Sequence, residues 1–197
     1  RLQEILAELR SRLQMHMNSN GHSVAVQRCK SYFSQEGVFN EVISGISFYR
    51  FVDDICKNFD AKKDEVIEKV SWIFKELFTS GNLLVSLTAD GAAYEGIAAA
   101  IKKFIAELPK AGELGLHKEQ VMYPYNPKNE GFRYAGQVQY AGLAANLLAE
   151  GGKKHSSMQV LRTILAYDYL WNNVRVKGGA YGCMSNIYGL NGDANFV

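Results

Sequence analysis

The sequence predicts an α/β fold in sandwich layers, with helices packed on a mainly antiparallel sheet. Three observations carry this. Long stretches place apolar residues at helical steps, short runs of strand composition lie between them, and one proline- and glycine-rich connector divides the chain. At about 150 residues per domain, 197 residues allow one large domain or two partial ones.

In the first 108 residues the reading is mostly helical. Leu2, Ile5, Leu6, Leu9 and Leu13 share one helical face, and Asn18, Ser19, Asn20 and Gly21 stop that helix. Ser23 is expected to cap a second helix over 24–33. Residues 37–45 read as a connector, and 46–59 as a helix carrying Phe48, Phe51, Val52 and Ile55. Val66, Ile67, Val70, Ile73, Phe74, Leu77 and Phe78 define an amphipathic helix expected to pack on one side. Gly81 ends it, 82–88 has the composition of a buried strand, and Asp90 caps a helix through Leu108.

All three prolines fall within nineteen positions, Pro109 to Pro127, marking the linker. Beyond it, Phe132, Tyr134, Val138 and Tyr140 suggest a strand. Ser156 and Gln159 form a capping-box pattern that opens a helix to about Val174, and 178–188 reads as a strand or hairpin.

Composition narrows the function classes. A net charge of +2 gives no electrostatic case for nucleic acid or acidic membranes, and no run of about 18 apolar residues spans a bilayer. Cys29, Cys56 and Cys183 are few and widely spaced, which suits a reducing compartment. The cytoplasm is therefore expected, with an organelle matrix as the alternative. The chain opens at Arg1 inside a helical pattern and closes on Phe196 and Val197, as expected of a piece of a longer polypeptide.

Candidate chemistry is sparse. His16, His22, His117 and His155 are far apart and none belongs to an H-x-x-E-H or H-E-x-x-H pattern, so surface or capping roles are expected of them and no metal site on this chain. The cysteines lack a basic partner at any recognisable spacing, and Cys29 and Cys56 read as inert thiols in apolar patterns. Neither Gly151-Gly152-Lys153-Lys154 nor Gly178-Gly179 with Gly182 makes a phosphate loop. The unusual passage runs from Trp171 to Gly182. There Arg175 brings fixed charge and several donors, Gly178 and Gly179 let another backbone approach, and Tyr181 stands between Ala180 and Gly182 with its hydroxyl accessible. Such a pair can bind peptide carbonyls or a tetrahedral oxyanion; it is equally readable as a glycine turn with Arg175 packed on Trp171.

Arg175-Val176-Lys177-Gly178-Gly179-Ala180-Tyr181-Gly182 resembles the R-x-x-G-G-A-Y-G signature of the pitrilysin/insulinase family of zinc metallopeptidases, nearest the presequence-protease branch. Gly21-His22-Ser23-Val24-Ala25, Gly45-Ile46-Ser47-Phe48, residues 82–91 and Val138-Gln139-Tyr140-Ala141-Gly142 agree with that branch. The resemblance implies a clamshell of two halves, each of two related α/β domains, with zinc held by an H-x-x-E-H helix in the first half. Residues 1–110 are then similar to the later part of the third domain, 111–130 to a linker, and 131–197 to the early part of the fourth. It also implies that Arg175 and Tyr181 are catalytic and that Arg175, Gly178, Gly179 and Tyr181 bind substrate. Zinc is expected only on the N-terminal half, the implied partner, with peptides as substrates. This chain alone is expected to be inactive, and its cut edges to favour self-association.

Two other readings stand beside this one. A non-catalytic homologue of the family would use the same fold for assembly or peptide binding. A generic α/β ligand-binding module would need the resemblance to be coincidental.

Overall fold

The computed structural model describes residues 1–110 and 121–197. His117 and positions 111–120 of the expected linker lie outside the described residues. In chain order the elements are α1 (Leu2–Ser19), α2 (Gly21–Lys30), α3 (Gln35–Ser44), α4 (Ile46–Lys57), α5 (Phe59–Leu77), a short 3-10 turn (Ser80–Asn82) and α6 (Gly91–Glu107). Then follow β1 (Leu143–Asn146), α7 (Ser157–Ile164), a π-helix (Leu165–Lys177), β2 (Ser185–Ile187) and β3 (Asp193–Phe196). Helices with an antiparallel sheet make this an α/β fold, as the sequence predicts. No helix among the described residues is long and apolar enough to cross a membrane.

Two compact units partition the chain. The first is built from 1–57 and 121–197, the second from the described part of 58–120. In the first unit, α4 packs on α1 and α3, α3 on α2, and α2 on β1. Ile46, Val52 and Ile55 of α4, with Ile187 and Ala194 of the sheet, are the buried hydrophobic side chains among the described residues. Phe51, expected on the buried face of α4, is exposed. The sheet runs β1-β3-β2, all antiparallel, with Leu143 opposite Phe196 and Asn186 opposite Asn195.

Several expected boundaries move. Ser23 lies inside α2 rather than capping it, because the helix begins two residues earlier. The connector expected at 37–45 is α3. Its cap is Ser34, whose hydroxyl accepts the Gly37 N–H at 2.9 Å. Glu41 then reaches from α3 to the first turn of α4, where its Oε1 accepts the Ser47 N–H at 3.0 Å, a carboxylate at a helix N-terminus. Residues 132–140 form no strand; the first strand starts at Leu143. Ser156 makes no side-chain cap on α7, and the Ser157 N–H instead donates to His155 Nδ1 at 3.1 Å. Of the strand expected over 178–188, only Ser185–Ile187 forms.

In the second unit Asp90 caps α6 as expected, accepting the Ala93 N–H at 2.8 Å. Residues 83–88 form no strand, and Leu84 is 93% exposed. The stripe on α5 is also open: Ile67, Val70, Ile73, Phe74, Leu77 and Phe78 are exposed, contrary to the expectation that one side is packed.

Candidate functional site: the Arg175–Tyr181 turn

The π-helix presents the Arg/Tyr passage at its C-terminal end. Asn172 and Asn173 donate their side-chain amides to the carbonyls of Asp168 and Tyr169, at 2.8 and 2.9 Å, supporting the wider turns from within. π-helical turns are rare and are frequently found at functional sites. The helix closes on glycine. Gly179 has φ +72°, a left-handed conformation that costs an L side chain about 1–2 kcal/mol. The Gly179 N–H donates to Arg175 O at 3.0 Å and the Ala180 N–H to Val174 O at 3.2 Å, so the freed carbonyls are satisfied. Gly178 has a different constraint: a Cβ there would meet Val174 O at 2.6 Å. A Cβ on Gly179 would meet nothing within 4 Å, so space beside that backbone is open.

Arg175 is held twice. Its guanidinium lies over the Trp171 ring, 4.2 Å from the centroid, and its Nε donates to the carbonyl of Tyr181 at 3.2 Å. Both terminal guanidinium nitrogens are without a hydrogen-bond partner among the described residues. Tyr181 is 96% exposed and its hydroxyl likewise has no partner among them. The turn therefore unites Arg175 with the main chain of Tyr181, while the phenol extends into solvent. The packing of Arg175 on Trp171, one of the two sequence readings, coexists with an available fork and an available phenol.

The remaining candidates have structural uses. His16 Nδ1 lies 3.2 Å from Asn20 Nδ2, His155 caps α7, and His22 tilts against Tyr140. Cys29 donates its thiol to Gly142 O at 3.5 Å, and burial pushes its pKa up, away from thiolate reactivity. The described residues include no group of three or more His, Cys, Asp or Glu that could hold a metal ion, so no chemical step on this chain is derived through zinc.

Sequence reading missed a charged network centred on Arg28. Its Nη1 donates to Glu41 Oε1 at 3.0 Å and to Ser47 Oγ at 3.3 Å, and its Nε to Glu130 Oε2 at 2.8 Å. The Tyr32 hydroxyl donates to the same Glu130 oxygen. Hydrogen bonds from Arg28 and Tyr32 hold the Glu130 carboxyl down at about 2, from an ordinary 4.5. A depressed carboxyl contributes stability that is fully present above its unfolded pKa and is lost as pH falls through the folded one. The expected result is a loss of stability between about pH 4.5 and 2 in urea melts, shallower in Glu130→Gln; equal pH slopes would exclude this role. No local motif announces these partners, since Arg28 and Glu130 lie 102 positions apart.

A family profile described as peptidase-associated matches residues 1–55, and one described as "PreP C-terminal domain" matches 129–197. Both stretches fall in the first compact unit. The chain is 34% identical to Protein HypA of Clostridium perfringens over 94% of its own length and 19% of that protein's. It is 27% identical to presequence protease 1, chloroplastic/mitochondrial, of Arabidopsis thaliana over 92% of its own length and 17% of the relative's. The mitochondrial presequence protease of Saccharomyces cerevisiae is 26% identical over 89% of this chain and 18% of its own length. The chain thus spans about a fifth of the length of these curated relatives. Two matched profiles in the order of the chain, with relatives aligned along most of it, show that it belongs to the pitrilysin/insulinase family as a presequence-protease-like C-terminal segment.

Proposed function

We propose that this chain is part of the second half of a zinc-dependent endopeptidase that degrades short or unfolded peptides. Residues 1–110 are assigned to the later part of its third domain, 111–130 to the linker and 131–197 to the early part of its fourth. Kinship and packing need not share boundaries, so these assignments stand apart from the two compact units. Zinc, which would supply an activated water, is assigned to the N-terminal half of the same protein. The relatives named as presequence proteases favour peptides as substrates, and the yeast relative's name carries a mitochondrial address. For the present protein the cytoplasm is retained, with an organelle matrix as the alternative.

The observation that carries the reading is an exposed, unpartnered phenol and a free guanidinium fork held at one capped helix end. Arg175 would donate to a backbone carbonyl of the bound peptide. Tyr181 would donate to the scissile carbonyl and, more strongly, to the oxyanion as that carbon becomes tetrahedral. The open space beside Gly179 leaves room for a peptide backbone.

Two measurements test this. The purified 197-residue chain is expected to cleave no peptide with or without added zinc, and zinc-dependent cleavage by it would overturn the division of labour. In the full-length protein, Arg175→Lys is expected to lower kcat/KM by about tenfold or more, since one charge-assisted hydrogen bond of about 1.5–3 kcal/mol loses its planar donor. Unchanged kinetics would favour the non-catalytic homologue, for which the grip of Arg175 on Trp171 and the Tyr181 carbonyl is purpose enough.

A further inference from the structure

The face of β2 and β3 that carries Asn186, Asn195 and Asp193 is polar, yet Asn195 is 1% and Asp193 2% exposed. A buried polar side chain is informative because such groups are normally paired. Asp193 is fully paired: its Oδ1 accepts from Asn146 at 2.9 Å, and its Oδ2 from Asn191 at 3.0 Å, with Lys30 Nζ at 3.7 Å. Asn195 is not. Its Oδ1 accepts from Asn186 at 3.3 Å, but its buried Nδ2 has no partner. Both residues line a cavity of about 350 Å³ whose other walls come from α2 and the start of α3, including Lys30 and Glu36.

Lys30 brings the second set of donors. Its ammonium lies 4.4 Å from the centroid of the Tyr188 ring and makes a single ion pair to Asp193, so it retains donor capacity. One cation and one orphaned amide donor suit a singly charged, planar acceptor. A dianion would meet Asp193 and Glu36, and an apolar ligand would leave the Asn195 N–H unpaired at full desolvation cost. The volume, at the small end for ligand sites, limits the ligand to a few heavy atoms beyond that group.

We propose that this cavity binds a small carboxylate, a free α-amino acid or the carboxyl terminus of a dipeptide, with its oxygens accepting from Asn195 Nδ2 and Lys30 Nζ. Glu36, which also lines the cavity and is exposed, faces the ammonium of such a ligand. The site shares no residue with the Arg175–Tyr181 turn and does not depend on the peptidase reading.

The test titrates the isotopically labelled chain with L-alanine, L-alanyl-L-alanine and, as a neutralised control, L-alaninamide, following the Asn195 side-chain amide by NMR. Saturable shifts with either carboxylate at millimolar concentration and none with alaninamide are expected; saturation by the dipeptide alone would assign the site to peptide termini, and by alanine as well to free amino acids. Lys30→Gln, on a residue at the cavity wall, is expected to weaken binding about tenfold with an unchanged circular dichroism spectrum. An Asn195 amide that none of the ligands moves would overturn the proposal. So would one moved equally by alaninamide, or binding that Lys30→Gln leaves intact.

Discussion

Tyr181→Phe in the full-length protein is expected to lower kcat by roughly ten- to thousandfold with little change in KM, the range for removing one oxyanion donor. The substitution removes a single oxygen from a ring that is 96% exposed and whose hydroxyl contacts no described group. Nothing in the fold therefore depends on that oxygen, and melting temperature should not move. This makes the variant unusually clean. A loss of turnover without a loss of stability can come only from something the hydroxyl meets outside this chain, namely substrate or the other half of the protein. Single-turnover kinetics on a fluorogenic peptide would measure it. Full turnover in Tyr181→Phe would remove the phenol from the chemistry and leave Arg175 as a structural clasp of the turn.

The magnitude also depends on water exclusion. A donor in water contributes little, because the oxyanion it serves is already solvated; in a closed chamber the same donor is worth several kcal/mol. The exposure of Tyr181 on this chain is thus compatible with a large effect only if another part of the protein covers it. Measuring the same substitution with increasingly short peptides, which cover the turn less, should show a shrinking effect.

How far the sequence foretold this differs between elements in a physically sensible way. Helices with their own caps and stripes were legible: α1 from its leucines, α6 from Asp90, whose carboxylate does bond the Ala93 N–H. What failed were elements that exist through distant partners. Leu143-Ala144-Ala145-Asn146 has little strand character, and it is a strand because Phe196 to Asp193 pair with it. Residues 83–88 have strand composition but no such partner among the described residues, and composition alone does not make a ladder. The helix α3 looked like a connector because its glycines interrupt any stripe; Gly37 and Gly45 are there for contact, since a Cβ on Gly45 would collide with Glu41 Oε2. At the candidate site, Arg175, Gly178, Gly179 and Tyr181 stood out from spacing alone, and so did stacking on Trp171. The π-helical turns that aim them did not, because a π-helix has no distinct hydrophobic period.

The strongest stability effect is expected at Arg28, which no sequence signal marked. Arg28→Ala should cost about 3–5 kcal/mol in urea unfolding, because it strands Glu41, 3% exposed, as an unpaired buried charge. Glu41 already has one oxygen, Oε2, without a partner, so it holds no reserve when Oε1 loses the guanidinium. The double variant Arg28→Met with Glu41→Gln should recover much of that loss, since apolar and neutral groups of similar size avoid the desolvation cost. That contrast separates a charge effect from simple loss of packing against Tyr32 and Phe132, whose rings lie 5.4 and 5.7 Å from the guanidinium carbon. If Arg28→Ala loses less than about 1 kcal/mol, the network is an exposed ion pair in effect. With five buried hydrophobic side chains among the described residues, the first unit has little else to fix 128–132 against α2 and α3. The guanidinium fills that role because one planar fork can bind Glu41, Ser47 and Glu130 at once, which a lysine ammonium in the same place could not orient.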